Sequence, residues 1–364
     1  MGNKKKNYII CFMTAIFFMA GLVLSVVIPD KEDSLGERRK LAKMPEITWD
    51  NIKSKRFMND FEKYTQDQFP LRTNFRKIKT SALNNMYFLD DKESLYKYDD
   101  YLVYMDYPLN LKSVKKATDR FTFIKEKYLD DSNKIYASVI PDKNIYLGDK
   151  SGHLVYNFSK MEEEVKNNMA YASYISIYDE LDGSSFYKTD THLKQEELAD
   201  ALTLIAEKMN AYIDTDYSKV NVRDDFYGVY KGQYAGRTKP DTLCYLTNDT
   251  IENMSVYDGE NNKDIPVYNV DKADGRDPYE MFLSGPLSLV TITNDKADND
   301  RRLIIFRDSF GSAAAPVLAT AYKETVLIDI RYISPLYLDK FVSFKDADVL
   351  FLYSSLVLNS DGIK

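Results

Sequence analysis

The stretch that decides the fold is Arg302-Leu303-Ile304-Ile305-Phe306-Arg307-Asp308-Ser309-Phe310-Gly311-Ser312. Its first half is apolar on consecutive positions, which is typical of a strand buried on both faces of a parallel sheet. Small residues follow, as at the start of a helix. A strand-to-helix turn of this kind presents a serine hydroxyl at the carboxyl end of the sheet, where backbone N–H groups can stabilise an oxyanion. Ser309 is therefore a candidate nucleophile, unless Asp308 and Ser309 only cap the following helix.

Further apolar runs accompany this strand and alternate with helical patterns. The runs occupy residues 135–140, 172–178, 326–330 and 349–353. The helical patterns occupy residues 113–127, 196–212 and 316–323, and the second carries Leu198, Leu202, Ile205 and Met209 on one stripe. This alternation predicts an α/β fold with a mainly parallel central sheet between layers of helices.

The remaining segments complete the predicted organisation. Residues 29–50 carry charges and prolines, and they predict a tether. Residues 51–364 then form one extracytoplasmic domain, which helical patterns open as far as residue 89. Residues 221–299 are rich in Asp, Asn, Gly and Pro and have few periodic segments. They predict a loop-rich insertion of the kind that shapes a surface site.

The N-terminal segment predicts a membrane anchor. Residues 8–28 contain no charged side chain and are long enough to cross the roughly 30 Å hydrocarbon layer. Lysines occupy residues 4–6 and acidic residues follow the apolar run, so the positive-inside rule places residues 1–7 in the cytoplasm and the rest outside. We therefore expect a single-pass protein of the cell membrane with an extracellular domain. A cleaved signal peptide is the alternative, although the segment has no A-x-A site.

The composition argues against several classes of protein. A hydrophobic content of 44% over 364 residues supports a large core. The formal net charge of −7 argues against a nucleic-acid partner. The only cysteines are Cys11, inside the apolar segment, and Cys244, so the sequence supports neither a disulfide framework nor a cysteine-based zinc site. We expect no metal and no cofactor.

Histidine restricts the possible chemistry because the chain has only His153 and His192. His153 follows Lys150-Ser151-Gly152 in a turn-like setting. His192 comes two residues after Asp190 and just before a predicted helix. In an extended segment these two side chains project to the same side, so Asp190 can hydrogen-bond one ring nitrogen and leave the other facing outward. This is the carboxylate and base pair that a serine nucleophile needs, although an inert surface Asp-x-His has the same sequence.

Taken together, these motifs resemble the DHHW proteins of Gram-positive bacteria, which are relatives of the alginate O-acetylation proteins AlgJ and AlgX among the circularly permuted SGNH hydrolases. The matching pieces come in the family's order and span nearly the whole exported chain. They are Glu37-Arg38-Arg39-Lys40-Leu41 with Pro45, Phe57-Met58-Asn59-Asp60-Phe61-Glu62-Lys63-Tyr64, Asp67-Gln68-Phe69-Pro70-Leu71-Arg72, Tyr187-Lys188-Thr189-Asp190-Thr191-His192, Asp225-Phe226-Tyr227-Gly228, Ile305-Phe306-Arg307-Asp308-Ser309-Phe310 and Ile328-Asp329-Ile330-Arg331-Tyr332.

The resemblance implies a permuted, three-layer SGNH hydrolase-like fold and a catalytic triad. Ser309 would be the nucleophile, His192 the general base and Asp190 the residue that orients the base. The chain departs from the family's Asp-His-His-Trp, which reads Asp190-Thr191-His192-Leu193 here. The residues that we expect at the substrate are Arg331, which matches a recurrent family arginine, Tyr187, and Gly228 and Asn359 as oxyanion donors besides the Ser309 N–H.

The function that the resemblance implies is extracytoplasmic O-acetylation of a cell-surface or secreted polysaccharide. Acetyl-CoA is absent outside the cell, so the donor would be a partner such as a membrane-bound O-acyltransferase. A polysaccharide acetylesterase would use the same triad and need no such partner. A non-catalytic glycan-binding protein of envelope assembly is the third possibility, because fold does not determine function.

Overall fold

The computed structural model describes residues 3–34, 37, 39–86, 91, 92 and 94–363. The chain divides into two compact units. The smaller unit comprises Met1–Asp90 with Gly232–Arg237, and the larger comprises Asp91–Lys231 with Thr238–Lys364.

The smaller unit is mostly helical. Its elements are α1 (Asn3–Val27), β1 (Asp33–Ser34), β2 (Arg39–Lys40), α2 (Trp49–Lys53), α3 (Arg56–Asp67) and α4 (Arg72–Met86). Strands β1 and β2 pair antiparallel. Within α1, Lys4–Val27 is long and apolar enough to cross a membrane, and a signal sequence has the same properties.

Two carboxylates organise the polar contacts of the smaller unit. Glu37 accepts hydrogen bonds from Arg39, Arg72 and Arg76. Asp67 accepts hydrogen bonds from both terminal guanidinium nitrogens of Arg39, at 2.7 Å from Nη1 and 2.5 Å from Nη2. These hydrogen bonds to Arg39 hold the pKa of Asp67 down at about 2. Ion pairing therefore links two of the sequence pieces on which the resemblance rests.

Besides short 3-10 helices, the larger unit contains the remaining α-helices and strands. They are β3 (Asp91–Lys92), β4 (Leu95–Tyr98), β5 (Tyr101–Tyr104), α5 (Leu111–Tyr128), β6 (Lys134–Ile140), α6 (Lys143–Ser151), α7 (Phe158–Asn168), β7 (Ser173–Tyr174), α8 (Ala199–Lys208), β8 (Ser218–Phe226), α9 (Val229–Tyr234, which ends in the smaller unit), β9 (Asp241–Thr247), α10 (Asp249–Glu252), β10 (Ser255–Asp258), β11 (Lys263–Ile265), β12 (Leu289–Thr293), β13 (Arg302–Arg307), α11 (Gly311–Leu318), β14 (Glu324–Ile328), β15 (Ala347–Ser354) and α12 (Ser355–Asn359).

An eight-stranded sheet forms the centre of this unit, in the order β11-β10-β12-β14-β13-β15-β6-β7. Strands β14, β13, β15, β6 and β7 run parallel, whereas β12, β10 and β11 extend the sheet antiparallel. Part of the segment 221–299, which the sequence predicts to be a loop-rich insertion, therefore belongs to the sheet. The predicted α/β class with a mainly parallel sheet is confirmed.

Apolar side chains cover both faces of the sheet. Along β13, Leu303 and Ile305 join the core that contains α8 and α11, whereas Ile304 and Phe306 join the core that contains α5 and α7. Each of these four side chains is fully buried. Consecutive apolar residues are required in β13 because neither face of the strand meets solvent.

The parallel strands deliver polar residues to one edge of the sheet. Their carboxyl ends meet there, as in other open α/β sheets. Ser309 follows β13, Asp329 follows β14, Ser355 follows β15 and Lys143 follows β6. This edge is where the candidate site lies.

Candidate active site

The turn after β13 is built so that the Ser309 hydroxyl is not used in capping. The buried Asp308 carboxylate accepts the Phe310 N–H at 3.0 Å, and the N–H and hydroxyl of Ser354 at 2.8 and 2.6 Å. A Cβ atom at Gly311 would lie 2.6 Å from the Cβ of Arg307, so the close approach of α11 to β13 requires glycine there. Asp308 thus fixes the turn, and the Ser309 side chain points elsewhere.

The structure brings the predicted triad residues together although 117 positions separate His192 from Ser309. His192 Nε2 lies 2.9 Å from Ser309 Oγ, and His192 Nδ1 lies 2.6 Å from Asp190 Oδ1. A carboxylate only accepts hydrogen bonds, so Nδ1 carries the proton and Nε2 offers its lone pair to the serine hydroxyl. This is the arrangement in which an imidazole can take a serine proton.

Asp190 is held firmly behind the imidazole. Its side chain is fully buried, and Oδ1 also accepts the backbone N–H of His192 at 3.1 Å. Oδ2 accepts the Val229 N–H at 2.8 Å. These contacts hold the carboxylate in the orientation in which it could stabilise an imidazolium.

Aromatic rings fix the plane of the imidazole. Tyr279 stacks on His192 with 3.8 Å between ring centroids and 9° between the planes, and Phe310 lies tilted at 4.9 Å. Burial raises the pKa of the Tyr279 hydroxyl well above its usual range, so the ring is neutral. Tyr279 comes from the segment predicted to be loop-rich, and the sequence gives no signal for its role.

The loop that carries Asp190 and His192 is closed at its base and anchored at its tip. Phe186 and Leu193 form an antiparallel bridge at the base. At the tip, the Asp241 carboxylate accepts the N–H groups of Lys188 and Thr189 at 2.6 and 2.9 Å, and the Thr189 hydroxyl at 2.6 Å. The positions of the two triad residues therefore depend on a side chain from a separate strand.

Gly228 has a different role from the predicted one. Its N–H donates to the Thr189 hydroxyl at 2.8 Å and is therefore not available to an oxyanion. A Cβ atom at this position would lie 2.2 Å from the Cβ of Asp190. The structure thus corrects the prediction: glycine is needed here to make room for the triad carboxylate.

Asn359 is also not an oxyanion donor. Its amide nitrogen donates to Asp106 Oδ1 and to the Pro108 carbonyl, both at 3.0 Å, which uses both N–H groups. Its amide oxygen accepts the Asn110 N–H at 2.6 Å. Asn359 instead ties α12 to the loop that precedes α5.

The other two predicted substrate residues differ in their access to solvent. Tyr187 has no exposed surface and packs edge-on against Phe226, so it supports the loop from inside and is not a surface residue that meets substrate. Arg331 is partly exposed and forms a bidentate ion pair with Asp329, at 2.8 and 2.6 Å. A role for Arg331 in substrate binding stays a prediction.

Two guanidinium groups share the Asp329 carboxylate below the serine turn. Arg307 is fully buried, with Nη1 3.9 Å from Asp329 Oδ2, and it donates to the Asp308 carbonyl at 3.3 Å. Asp308 also interacts with both guanidinium groups, so Arg307 and Arg331 are balanced by the buried carboxylates of Asp308 and Asp329. Among the described residues, the Ser309 N–H has no hydrogen-bond acceptor. The serine turn therefore has a free N–H donor, which can stabilise negative charge on a bound oxygen.

His153 does not take part in this site. It stacks on Tyr96 with 3.6 Å between centroids, and its Nδ1 lies 3.0 Å from the Ser151 hydroxyl. Within the part of the chain that the structure describes, no group of three His, Cys, Asp or Glu side chains could hold a metal ion. His192 is thus the histidine that meets the candidate nucleophile.

Comparison with known proteins identifies solved structures that have a similar fold. The sequence matches no protein-family model and no curated protein. The structure is similar to a DHHW family protein from Eubacterium siraeum, with a TM-score of 0.59 and 18% identity over 74% of this chain and 93% of that chain. It is also similar to Bacillus cereus PatB1 with a sulfonyl adduct, with a TM-score of 0.54 and 18% identity over 74% of this chain and 99% of that chain. The chain thus has the fold of a DHHW-family structure, and the resemblance predicted from its sequence is confirmed.

Proposed function

We propose that the chain is an extracytoplasmic serine O-acetyltransferase that transfers acetyl groups to hydroxyls of a cell-surface or secreted polysaccharide. The observation that carries this proposal is the 2.9 Å approach of His192 Nε2 to Ser309 Oγ, with Asp190 2.6 Å behind the ring. The apolar helix at Lys4–Val27 supports a location at the membrane.

In the first half-reaction Ser309 attacks the carbonyl carbon of an acetyl ester. His192 takes the hydroxyl proton as the new carbon–oxygen bond forms, and the carbonyl electrons move onto the oxygen. The tetrahedral intermediate then collapses, the bond to the donor's alcohol oxygen breaks, and His192 gives that oxygen the proton. The products are acetyl-Ser309 and the free donor alcohol.

In the second half-reaction a sugar hydroxyl gives its proton to His192 and attacks acetyl-Ser309. Collapse of this intermediate breaks the bond to Ser309 Oγ, and His192 returns the proton to the serine. The acetylated sugar leaves and the enzyme is regenerated. The Ser309 N–H would stabilise the oxyanion in both halves, and a well-placed donor is worth about 10²–10³ in rate.

The proposed acetyl donor follows from the proposed extracytoplasmic location. Because acetyl-CoA is cytoplasmic, a membrane-bound O-acyltransferase would deliver the acetyl group to Ser309. The acceptor is a polysaccharide, and no nucleic acid takes part. PatB1, to which the fold is similar, is described with a sulfonyl adduct. A sulfonyl fluoride is therefore a useful probe of Ser309, because an activated serine displaces fluoride from it.

The test uses the full chain in lipid nanodiscs with p-nitrophenyl acetate and a panel of oligosaccharides, and a parallel reaction contains a sulfonyl fluoride instead. We expect acetylated sugar, and acetyl or sulfonyl groups on the peptide that contains Ser309, as detected by mass spectrometry. Ser309→Ala should lose both, whereas Ser312→Ala, a neighbouring serine in α11, should keep them. Acetate without acetylated sugar would identify an esterase, and equal products from Ser309→Ala would refute the serine mechanism.

A further inference from the structure

Lys143 occupies an unfavourable place for a cation. It is the first residue of α6 and 1% exposed. The positive end of the helix dipole opposes a cation there, and burying an unpaired charge is strongly unfavourable. Burial lowers its pKa to about 8, so the ammonium is still the main form at neutral pH. A lysine in such a place needs strong compensating contacts.

Three carbonyl groups provide these contacts. Lys143 Nζ donates to the carbonyl oxygens of Leu102 at 2.8 Å, Tyr187 at 2.7 Å and Asp190 at 2.7 Å. An ammonium has three N–H donors, so all of them are used. Two of the three acceptors belong to the loop that carries Asp190 and His192.

The same loop is held on its other side by a negative charge. Asp241 accepts the N–H groups of Lys188 and Thr189, while Lys143 binds carbonyls on either side of them. The carbonyls of the two tip residues are held as well, since the Leu102 N–H donates to Lys188 at 2.7 Å and the Tyr230 N–H to Thr189 at 3.1 Å. The loop is thus fixed by a cation on its carbonyls and an anion on its amides.

We propose that Lys143 is a positioning residue of the triad: its ammonium holds the peptide carbonyls of Tyr187 and Asp190, and this aims the Asp190 carboxylate at His192 Nδ1. The proposal rests on the proposed function, in which His192 must accept the Ser309 proton. Lys143 meets the backbone of Asp190 and has no contact with Ser309, so its effect on the reaction passes through the loop.

Replacing Lys143 with methionine should slow the chemical step and leave substrate binding unchanged. The side chain has a similar length but no donor, so the loop carbonyls would move to find other partners. A displacement of about 1 Å in a catalytic group costs about 100-fold in rate. We expect kcat for p-nitrophenyl acetate to fall about 100-fold with KM unchanged. Lys143→Gln, which keeps two N–H donors, should lose less.

The NMR resonances of the histidines report the same displacement of the triad loop, and they can be measured even if the protein shows no activity. The chain has only two histidines, so ¹⁵N-histidine labelling of the full chain gives signals from His153 and His192 alone. The His192 Nδ1 proton lies in the 2.6 Å contact with Asp190. In Lys143→Met this signal should move or broaden, while the His153 signal, which depends on Tyr96 and Ser151, should stay in place.

The matched control is Asn133→Ala. At the opposite end of β6, it removes two side-chain hydrogen bonds to the carbonyls of Phe344 at 2.6 Å and Ala347 at 2.9 Å, and an acceptor of the Asp130 N–H at 3.0 Å. This change should lower the melting temperature without moving the His192 signal or lowering the rate per folded molecule. If both Lys143 variants keep the parent's His192 signal, or lose activity only in proportion to folded protein, the positioning role is wrong. If the parent itself forms no acetyl-Ser309, the proposed function fails, and the histidine signals still decide the role of Lys143.

Discussion

Gly228→Ala should slow the proposed reaction about 100-fold through steric displacement of Asp190. An added Cβ would lie 2.2 Å from the Asp190 Cβ, 2.3 Å from its Cα and 2.4 Å from its Oδ2. Non-bonded carbon atoms prefer about 3.5–4.0 Å, so one of the two segments must move by about 1 Å or more. Rotation of a side chain cannot relieve the clash, because the backbone Cα of Asp190 is among the crowded atoms.

The expected losses of activity and stability follow from this displacement of Asp190. Asp190 orients His192, and a shift of about 1 Å in such a group lowers kcat about 100-fold. Overpacking of a buried site also costs about 1–3 kcal/mol of stability. Gly362→Ala is the matched control, because its closest contact is 3.2 Å, to the Ser360 hydroxyl at the end of a small side chain.

The assay measures nitrophenol release from p-nitrophenyl acetate per folded molecule, with the melting temperature recorded for each variant. We expect Gly228→Ala to be slow and Gly362→Ala to match the parent. A folded Gly228→Ala protein with the parent's rate would refute the argument, because the crowding at Asp190 would then have no effect on the triad.

Two further predictions concern the carboxylates. Asp190→Asn keeps the shape of the side chain but favours the wrong imidazole tautomer. The rate constant kcat for acetyl-Ser309 formation should therefore fall about 10⁴-fold while the protein stays folded. A small loss would mean that the carboxylate does not orient His192. Hydrogen bonds from Arg39 lower the pKa of Asp67 to about 2 from an ordinary value of 3.8, so its stabilising effect should be complete above about pH 4 and disappear as the pH falls through about 2. The free energy of unfolding, measured with urea, should therefore differ between the parent and Asp67→Asn at pH 5, and this difference should disappear at a pH of about 2 or below. A difference that stays constant with pH would contradict the ion pair.

The sequence predicts the triad because each half of it is a local pattern. Asp190 and His192 are two positions apart in an extended segment, and Ser309 follows a strand whose apolar run marks the centre of the sheet. Parallel strands place such turns at one edge without further information. The distance that joins the halves, from His192 Nε2 to Ser309 Oγ, depends on the whole fold, and the sequence alone could not supply it.

The errors and the omissions have different physical causes. Gly228 and Asn359 were expected to donate to an oxyanion, yet their N–H groups bind protein acceptors, because a buried donor must find a partner during folding. Tyr279 contacts His192 and Asp241 holds the loop of the triad, and both come from residues 221–299, where the sequence shows few periodic segments. Such contacts become visible only when the tertiary structure places the segments side by side.

The polar groups around the triad loop make sense as parts of one electrostatic arrangement. Peptide groups carry dipoles, so a loop whose carbonyls face Lys143 and whose amides face Asp241 is stabilised at both ends of those dipoles. Burial strengthens both interactions because little water competes with them. The loop can therefore hold a carboxylate and an imidazole in register outside any regular strand or helix. In the proposed reaction, this rigid placement of the base would prepare the site for acyl transfer.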